Sequence, residues 1–191
     1  MEAHHSAEGL GIADMITTPR LRLVSLTPSL LRAVAGGKLA EVERQLDAPV
    51  CAGWEEGVPA ELRLQQLAAD PAEQPWLVRA VVAQAPRRVL GSVGFHAPPD
   101  DHGRVEIGYD IVAGERRRGY AREAIHALLD WAWATGRARV CVASVSPSNG
   151  PSLALVRAFG FRHVGEQMDE IDGLEWVFER TLPASDLSPD T

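Results

Sequence analysis

The chain of 191 residues has only two cysteines, Cys51 and Cys141, and neither sits beside another potential metal ligand. That count excludes a disulfide-scaffolded domain and a cysteine-based zinc site. Together with the lack of a charged-then-apolar leader, it leads us to expect a protein of the reducing cytoplasm. The His4-His5 pair is too short a tract to count as a metal site, so no metal is expected. No apolar run approaches the roughly twenty residues that cross a bilayer, and no membrane partner is expected. Basic charge is also scarce, with 19 Lys and Arg against 26 Asp and Glu for a net charge of −7. Nucleic-acid backbones are bound mainly through clustered cations, so a nucleic-acid partner is not expected and a cationic substrate is the more natural one. Internal repeats, heptads and low-complexity tracts are absent.

What is present is enough for one sizeable core, since 46% of the residues are hydrophobic. Residues 1–16 are expected to form a flexible arm, 17–183 a single domain and 184–191 a frayed tail. Strands are predicted near Leu21–Leu26, Trp76–Val82, Val89–Phe95, Val105–Val112, Arg139–Val145, His163–Met168 and Leu174–Arg180. Thr27-Pro28 offers an N-cap with proline at the first helical position. Two short helices are expected between Leu30 and Leu46, broken at Gly36-Gly37. A third is expected over Pro59–Ala69, with Leu62, Leu67 and Ala68 near one face. The loop between them carries Trp54, Glu55 and Glu56, and on the residues alone Trp54 packs the loop onto the sheet.

The most telling stretch is Glu115-Arg116-Arg117-Arg118-Gly119-Tyr120-Ala121, set between an alternating strand and a long amphipathic helix. On the strand, Val105, Ile107, Tyr109 and Ile111 share one face, while Glu106, Gly108 and Asp110 share the other. The helix places Ala121, Ala124, Ile125, Leu128, Leu129, Ala132 and Trp133 on one stripe and is stopped by Gly136. A loop that opens a helix leaves main-chain N–H groups unpartnered and favours an anion, so this one reads as a phosphate cradle. It lacks the Lys-Ser/Thr end of a P-loop. Gly91-Ser92-Val93-Gly94 lies inside a strand and opens no helix, which excludes a dinucleotide fingerprint there.

Arg116-Arg117-Arg118-Gly119-Tyr120-Ala121 resembles the Gln/Arg-x-x-Gly-x-Gly/Ala signature of the GNAT superfamily of acyl-CoA N-acyltransferases. Asn149-Gly150-Pro151-Ser152, leading to Phe159-Gly160-Phe161, is similar to a segment of its RimJ/RimL-like branch. The resemblance runs from Thr18-Pro19-Arg20 to Glu175-Trp176-Val177. It implies an α+β fold with a mixed, mostly antiparallel sheet of about six to seven strands flanked by helices and splayed near its fourth strand. It also implies acetyl-CoA as acyl donor. On that resemblance Arg116, Arg117, Arg118, Gly119, Tyr120 and Ala121 would hold the pyrophosphate, Asn149 and Ser152 the pantetheine arm, and a main-chain N–H near Ile111 or Val112 the oxyanion. Glu106 is the implied base, and Asp110 on the same face or His96 at the end of the preceding strand could share its task, both lying with Trp54 on the acceptor side. Many relatives carry a leaving-group tyrosine where this chain has Val156, so either Ser152 or a water does that task, or no acid is needed, since a thiolate is a fair leaving group with a thiol pKa of about 8.5.

The activity implied is transfer of an acetyl group to a primary amine, either a protein N-terminal α-amine or a small cationic amine. The alternative is an acyl-CoA-binding or scaffold protein that has lost turnover. Acidic candidates for an acceptor wall are Glu55, Glu56, Asp100, Asp101, Asp169, Glu170 and Asp172. A homodimer is left open.

Overall fold

A computed structural model describes residues 15–170 and 173–181. Residues 1–14, 171–172 and 182–191, which include most of the expected arm, the acceptor-wall candidate Asp172 and the expected tail, lie outside the described residues. The first strands are β1 (Met15–Thr17) and β2 (Leu21–Ser25), followed by helices α1 (Pro28–Ala35), α2 (Leu39–Leu46) and α3 (Ala60–Ala69). Strands β3 (Arg79–Gln84), β4 (Arg87–Phe95) and β5 (Arg104–Ile111) precede α4 (Tyr120–Ala134). The chain then forms β6 (Val140–Val145), α5 (Gly150–Ala158), β7 (Arg162–Asp169) and β8 (Gly173–Arg180). The strands join in the order β1-β2-β3-β4-β5-β6-β8-β7, and every pairing is antiparallel except β5 with β6.

Alternation along the strands builds a core on each face of this sheet. One contains Leu21, Leu23, Val81, Leu90, Phe95, Val105, Ile107 and Ile111, covered by Ile125, Leu128 and Leu129 of α4 and Leu153 and Val156 of α5. The other contains Val24, Ala80, Val82, Val89 and Val112, covered by Leu30 and Leu31 of α1, Val42 of α2 and Leu67 of α3. Each fully buried leucine in either layer contributes about 1.5–3 kcal/mol relative to an exposed one. Helix boundaries follow local chemistry. Thr27 Oγ1 accepts from the Leu30 N–H at 3.3 Å to start α1, and Gly136, at φ +68°, follows the last turn of α4.

The sheet has one strand more than expected. Met15–Thr17, assigned from sequence partly to the arm, pairs with Arg22–Val24 as β1. Three residues with a single half-buried apolar side chain, Ile16, are too short to show a period. Two other expectations also shift. In α3 the inward residues are Ala60, Arg63 and Leu67, while Leu62 is 53% exposed. Trp76 and Leu77 are buried but precede β3, which begins at Arg79.

The sheet opens at β5. That strand stays paired with β4 from Ile107 to Ile111, but it meets β6 only at Arg104, Val105 and Glu106, opposite Val140, Cys141 and Val142. Beyond Glu106 the two strands diverge, which is the splay expected near the fourth strand. The short β1 makes that strand the fifth in this chain.

Candidate active site

Two main-chain bonds set the phase of β5. The Val112 N–H donates to Leu90 O at 2.9 Å, and the His96 N–H donates to Glu106 O at 2.8 Å. With Gly91 opposite Ile111 and Phe95 opposite Ile107, even-numbered residues exchange bonds with β4 while odd-numbered ones direct theirs to the other edge. The N–H groups of Tyr109 and Ile111 therefore face the gap left by β6. Val112 does not fit the oxyanion role considered from sequence, because its N–H is bonded to Leu90 and its side chain lies in the second core. Of the two candidates, only Ile111 turns its N–H toward the gap.

A cavity of about 980 Å³ occupies the odd-numbered side of this gap. Its lining includes Tyr109 and Ile111 of β5, Arg116, Arg117, Gly119, Tyr120 and Ala121 of the loop and first turn of α4, and Asn149 and Ser152 at the start of α5. The first intrahelical bond of α4 runs from the Glu123 N–H to Gly119 O at 3.1 Å, so the N–H groups of Tyr120 to Arg122 precede it. Asn149 Oδ1 accepts from the Ser152 N–H at 3.2 Å and so caps the start of α5.

The three arginines divide their work. Arg116 turns back onto the strand, donating from Nε to Ile111 O at 2.6 Å and from Nη2 to Asp110 Oδ1 at 3.1 Å. Arg117 lines the cavity from a left-handed backbone at φ +61°. The Arg118 guanidinium binds Glu115, itself a lining residue, at 3.3 Å, and the same carboxylate binds Arg88 at 3.0 Å. Arg118 is not among the residues that line the cavity. Gly119 has φ +80°, and a Cβ there would lie 3.2 Å from Arg20 Nη2.

Arg20 was quoted from sequence only as part of the family resemblance, yet it anchors the whole loop. From the β1–β2 turn it binds Glu123 at 2.6 Å, donates to Arg118 O at 3.0 Å and lies 4.9 Å over the Tyr120 ring. Thr18 Oγ1 donates to the same Glu123 carboxylate at 2.6 Å. Burial raises the Glu123 pKa, but the bonds from Thr18 and Arg20 outweigh it and hold the carboxyl below its ordinary value.

The even-numbered side of β5 is acidic and partly open. The Ser144 hydroxyl donates to Glu106 Oε1 at 2.6 Å, Gln167 Nε2 donates to Ser144 Oγ at 3.1 Å and to Glu175 Oε2 at 3.0 Å, and His96 Nδ1 lies 3.8 Å from Glu106 Oε2. His96 is placed from α3, where Arg63 and Gln66 donate to its carbonyl at 2.8 and 2.9 Å. Its ring lies over Gly108, where a Cβ would come within 2.9 Å of Nε2. Asp110 lies against the turn at Gly57. Ser144 and Gln167 escaped the sequence reading, although a serine on the same strand face as Val142 in an otherwise apolar strand was a usable signal.

Trp54 is not on this surface. It is 1% exposed and its indole N–H donates to Gly91 O at 2.7 Å, so it pins its loop to the second core and leaves no face for a substrate. Asp100 and Asp101 are also elsewhere, in the β4–β5 hairpin, where Asp100 accepts from the N–H groups of His102 and Arg104. Asp169 and Glu170 belong to the β7–β8 hairpin. Among the described residues no cluster of His, Cys, Asp and Glu could hold a metal, and no helix is long and apolar enough to cross a membrane.

The opened mixed sheet thus has an anion-type cradle on one side of the gap and a carboxylate on the other. Residues 20–162 match the family model described as the acetyltransferase (GNAT) domain, and the chain belongs to that family. It is 30% identical over 86 residues to an uncharacterized N-acetyltransferase p20 of Bacillus licheniformis, covering 45% of this chain and 48% of that protein. The chain thus spans about half the length of the curated relatives it matches. Its fold is similar to that of a Salmonella typhimurium acetyltransferase that modifies the N-terminal serine of ribosomal protein L7/L12, with 17% identity over 88% of this chain and 99% of the other and a TM-score of 0.61. It is also similar to Mycobacterium smegmatis RimJ in complex with CoA-disulfide, with 19% identity over 95% and 92% of the two chains and a TM-score of 0.61.

Proposed function

We propose that this protein transfers an acetyl group from acetyl-CoA to a primary amine by direct attack in a ternary complex. On this reading residues 17–183 act as one catalytic domain. The observation that carries it is the parting of β5 and β6 just beyond Glu106, with the cavity on one face of β5 and the Glu106 carboxylate on the other. Arg116, Arg117 and the N–H groups of Tyr120 to Arg122 suit a pyrophosphate, and the gap-facing N–H of Ile111 suits a developing oxyanion. A relative in fold, RimJ, binds a form of CoA, which supports the same use of the cavity here.

The acceptor must arrive neutral, whereas an alkyl ammonium has a pKa of about 10.4 and an α-amino group one of about 7.7–8.0. Glu106 accepts the nitrogen's proton, directly or through one water, as the nitrogen lone pair forms the new C–N bond and the C–S pair leaves with sulfur. Ser144 holds one Glu106 oxygen, leaving Oε2 turned toward His96. Glu175 adds negative charge on the same side, while Asp110 is paired with Arg116, and the carboxylates of Glu106 and Glu175 favour a cationic amine, either a protein N-terminal α-amine or a small one.

Saturating acetyl-CoA at 100 times its dissociation constant is expected to stabilise the fold by about 2.7 kcal/mol, visible as a rise in melting temperature. Glu106→Gln is then expected to lower amine-dependent CoA release by roughly 10²-fold while keeping that rise. No thermal shift in the wild type defeats the acyl-CoA reading. A shift without turnover on any amine would leave a binding protein.

A further inference from the structure

At the position on helix α5 where many relatives carry a tyrosine, Val156 is buried at 3% exposure within the core, which leaves Ser152 as the hydroxyl that this helix brings to the cavity. The cavity does contain a phenol, supplied by the strand. Tyr109 lies on the odd-numbered face of β5, lines the cavity beside Ser152 and Asn149, and packs against the main core. Its hydroxyl oxygen is buried and has no partner at full hydrogen-bond geometry, which is a costly state for a phenol. The side chain that bears on it electrostatically is Ser152, from the first turn of α5.

Alternation along one strand gives this pairing its logic. Glu106 and Tyr109 have opposite parity, so the carboxylate faces the acidic acceptor side and the phenol faces the cavity, with the gap between them. Resting on the acetyltransferase reading above, we infer that Tyr109 Oη donates a hydrogen bond to the coenzyme A sulfur as the C–S bond breaks, and that Ser152 positions the phenol. The electron pair of the broken bond stays on sulfur, and the amine proton goes to Glu106. The thiolate, whose thiol has a pKa of about 8.5, takes its own proton from solvent after release. Burial, opposed by the Ser152 interaction, raises the Tyr109 pKa above its ordinary value, so the phenol keeps its proton at neutral pH and acts as a donor throughout.

The decisive variant is Tyr109→Phe, which keeps the ring and removes the hydroxyl. It is expected to lower kcat at least about tenfold while leaving KM for acetyl-CoA within about twofold, as befits a bond that forms only as charge develops on sulfur. A second readout needs no turnover: the ultraviolet thiolate absorbance of CoA bound to the protein, followed against pH. In the wild type the bound thiol is expected to ionise about one pH unit lower than in Tyr109→Phe. Ser152→Ala, on a partly exposed turn, is expected to fall between the two and carries the test if the phenylalanine variant loses its acetyl-CoA thermal shift. Identical thiol titrations in wild type and variants would overturn the assignment even with transferase activity intact. Failure of the wild type to bind CoA or acetyl-CoA would instead remove the reading on which it rests.

Discussion

At the scale of single residues, backbone conformation and bonded state decide what each side chain can do. Gly119 has φ +80° and Arg20 Nη2 stands 3.2 Å from where a Cβ would be. Gly119→Ala therefore meets strain and a crowded neighbour together. It is expected to cost about 1 kcal/mol of stability, measured by denaturant unfolding, and to weaken acetyl-CoA about tenfold by calorimetry. Trp54 makes the converse case. Sequence could name it as the aromatic of a polar loop but not say which way it points, because that depends on how the loop docks. Its bond to Gly91 O makes Trp54→Phe a stability variant: a loss of about 1–2 kcal/mol with KM for the amine unchanged is expected. A raised amine KM at unchanged stability would restore Trp54 to the acceptor surface. Val112 and Ile111 were equivalent candidates in sequence for a similar reason, since the phase of β4–β5 hydrogen bonding separates them and only pairing register reveals it.

At the scale of elements, nearly every helix and strand was legible, because the periods of 2 and 3.6 are long enough to recognise over β4, β5, α4 and α5. What escaped was the three-residue β1, the inward face of α3, and the job of the turn between β1 and β2. That turn clamps the cradle: Thr18 and Arg20 hold Glu123 on the first turn of α4, while Arg20 also holds Arg118 O. Contacts spanning about a hundred positions leave no local trace in a single chain. Arg20→Gln is expected to raise KM for acetyl-CoA while leaving kcat nearly unchanged, the mark of a positioning group that acts on ground state and transition state alike. The pH dependence follows from Glu123. Its folded pKa lies below its unfolded value, so its contribution is complete above the ordinary glutamate range of about 4.3 and is lost as pH falls through the depressed value. Wild-type melting temperature should therefore fall on acidification more steeply than that of Glu123→Gln, and parallel curves would show the clamp contributes nothing.

At the scale of the whole molecule, the two cores hold the sheet from both sides while β5 and β6 part between them, so the candidate site is a place where pairing stops. Charge is distributed to match. Arg116, Arg117 and Arg122 line the cavity side of the gap together with Glu115, Asp110 is paired with Arg116, and the open side carries Glu106 and Glu175 in a chain of net charge −7. A dication approaching that side gains more from the field than a monocation, and salt should remove the difference as the Debye length shrinks from about 10 Å at 0.1 M to about 3 Å at 1 M. With acetyl-CoA saturating, its own salt dependence is common to both acceptors and cancels in their ratio. The ratio of kcat/KM for a diamine over a monoamine of equal length is thus expected to exceed one at low salt and to fall several-fold toward one as salt rises over that range. Glu175→Gln, which leaves Glu106 and its Ser144 partner untouched, should flatten part of that slope. A ratio indifferent to salt would mean that the acceptor is not read by charge, and would turn attention from cationic amines to acceptors chosen by shape.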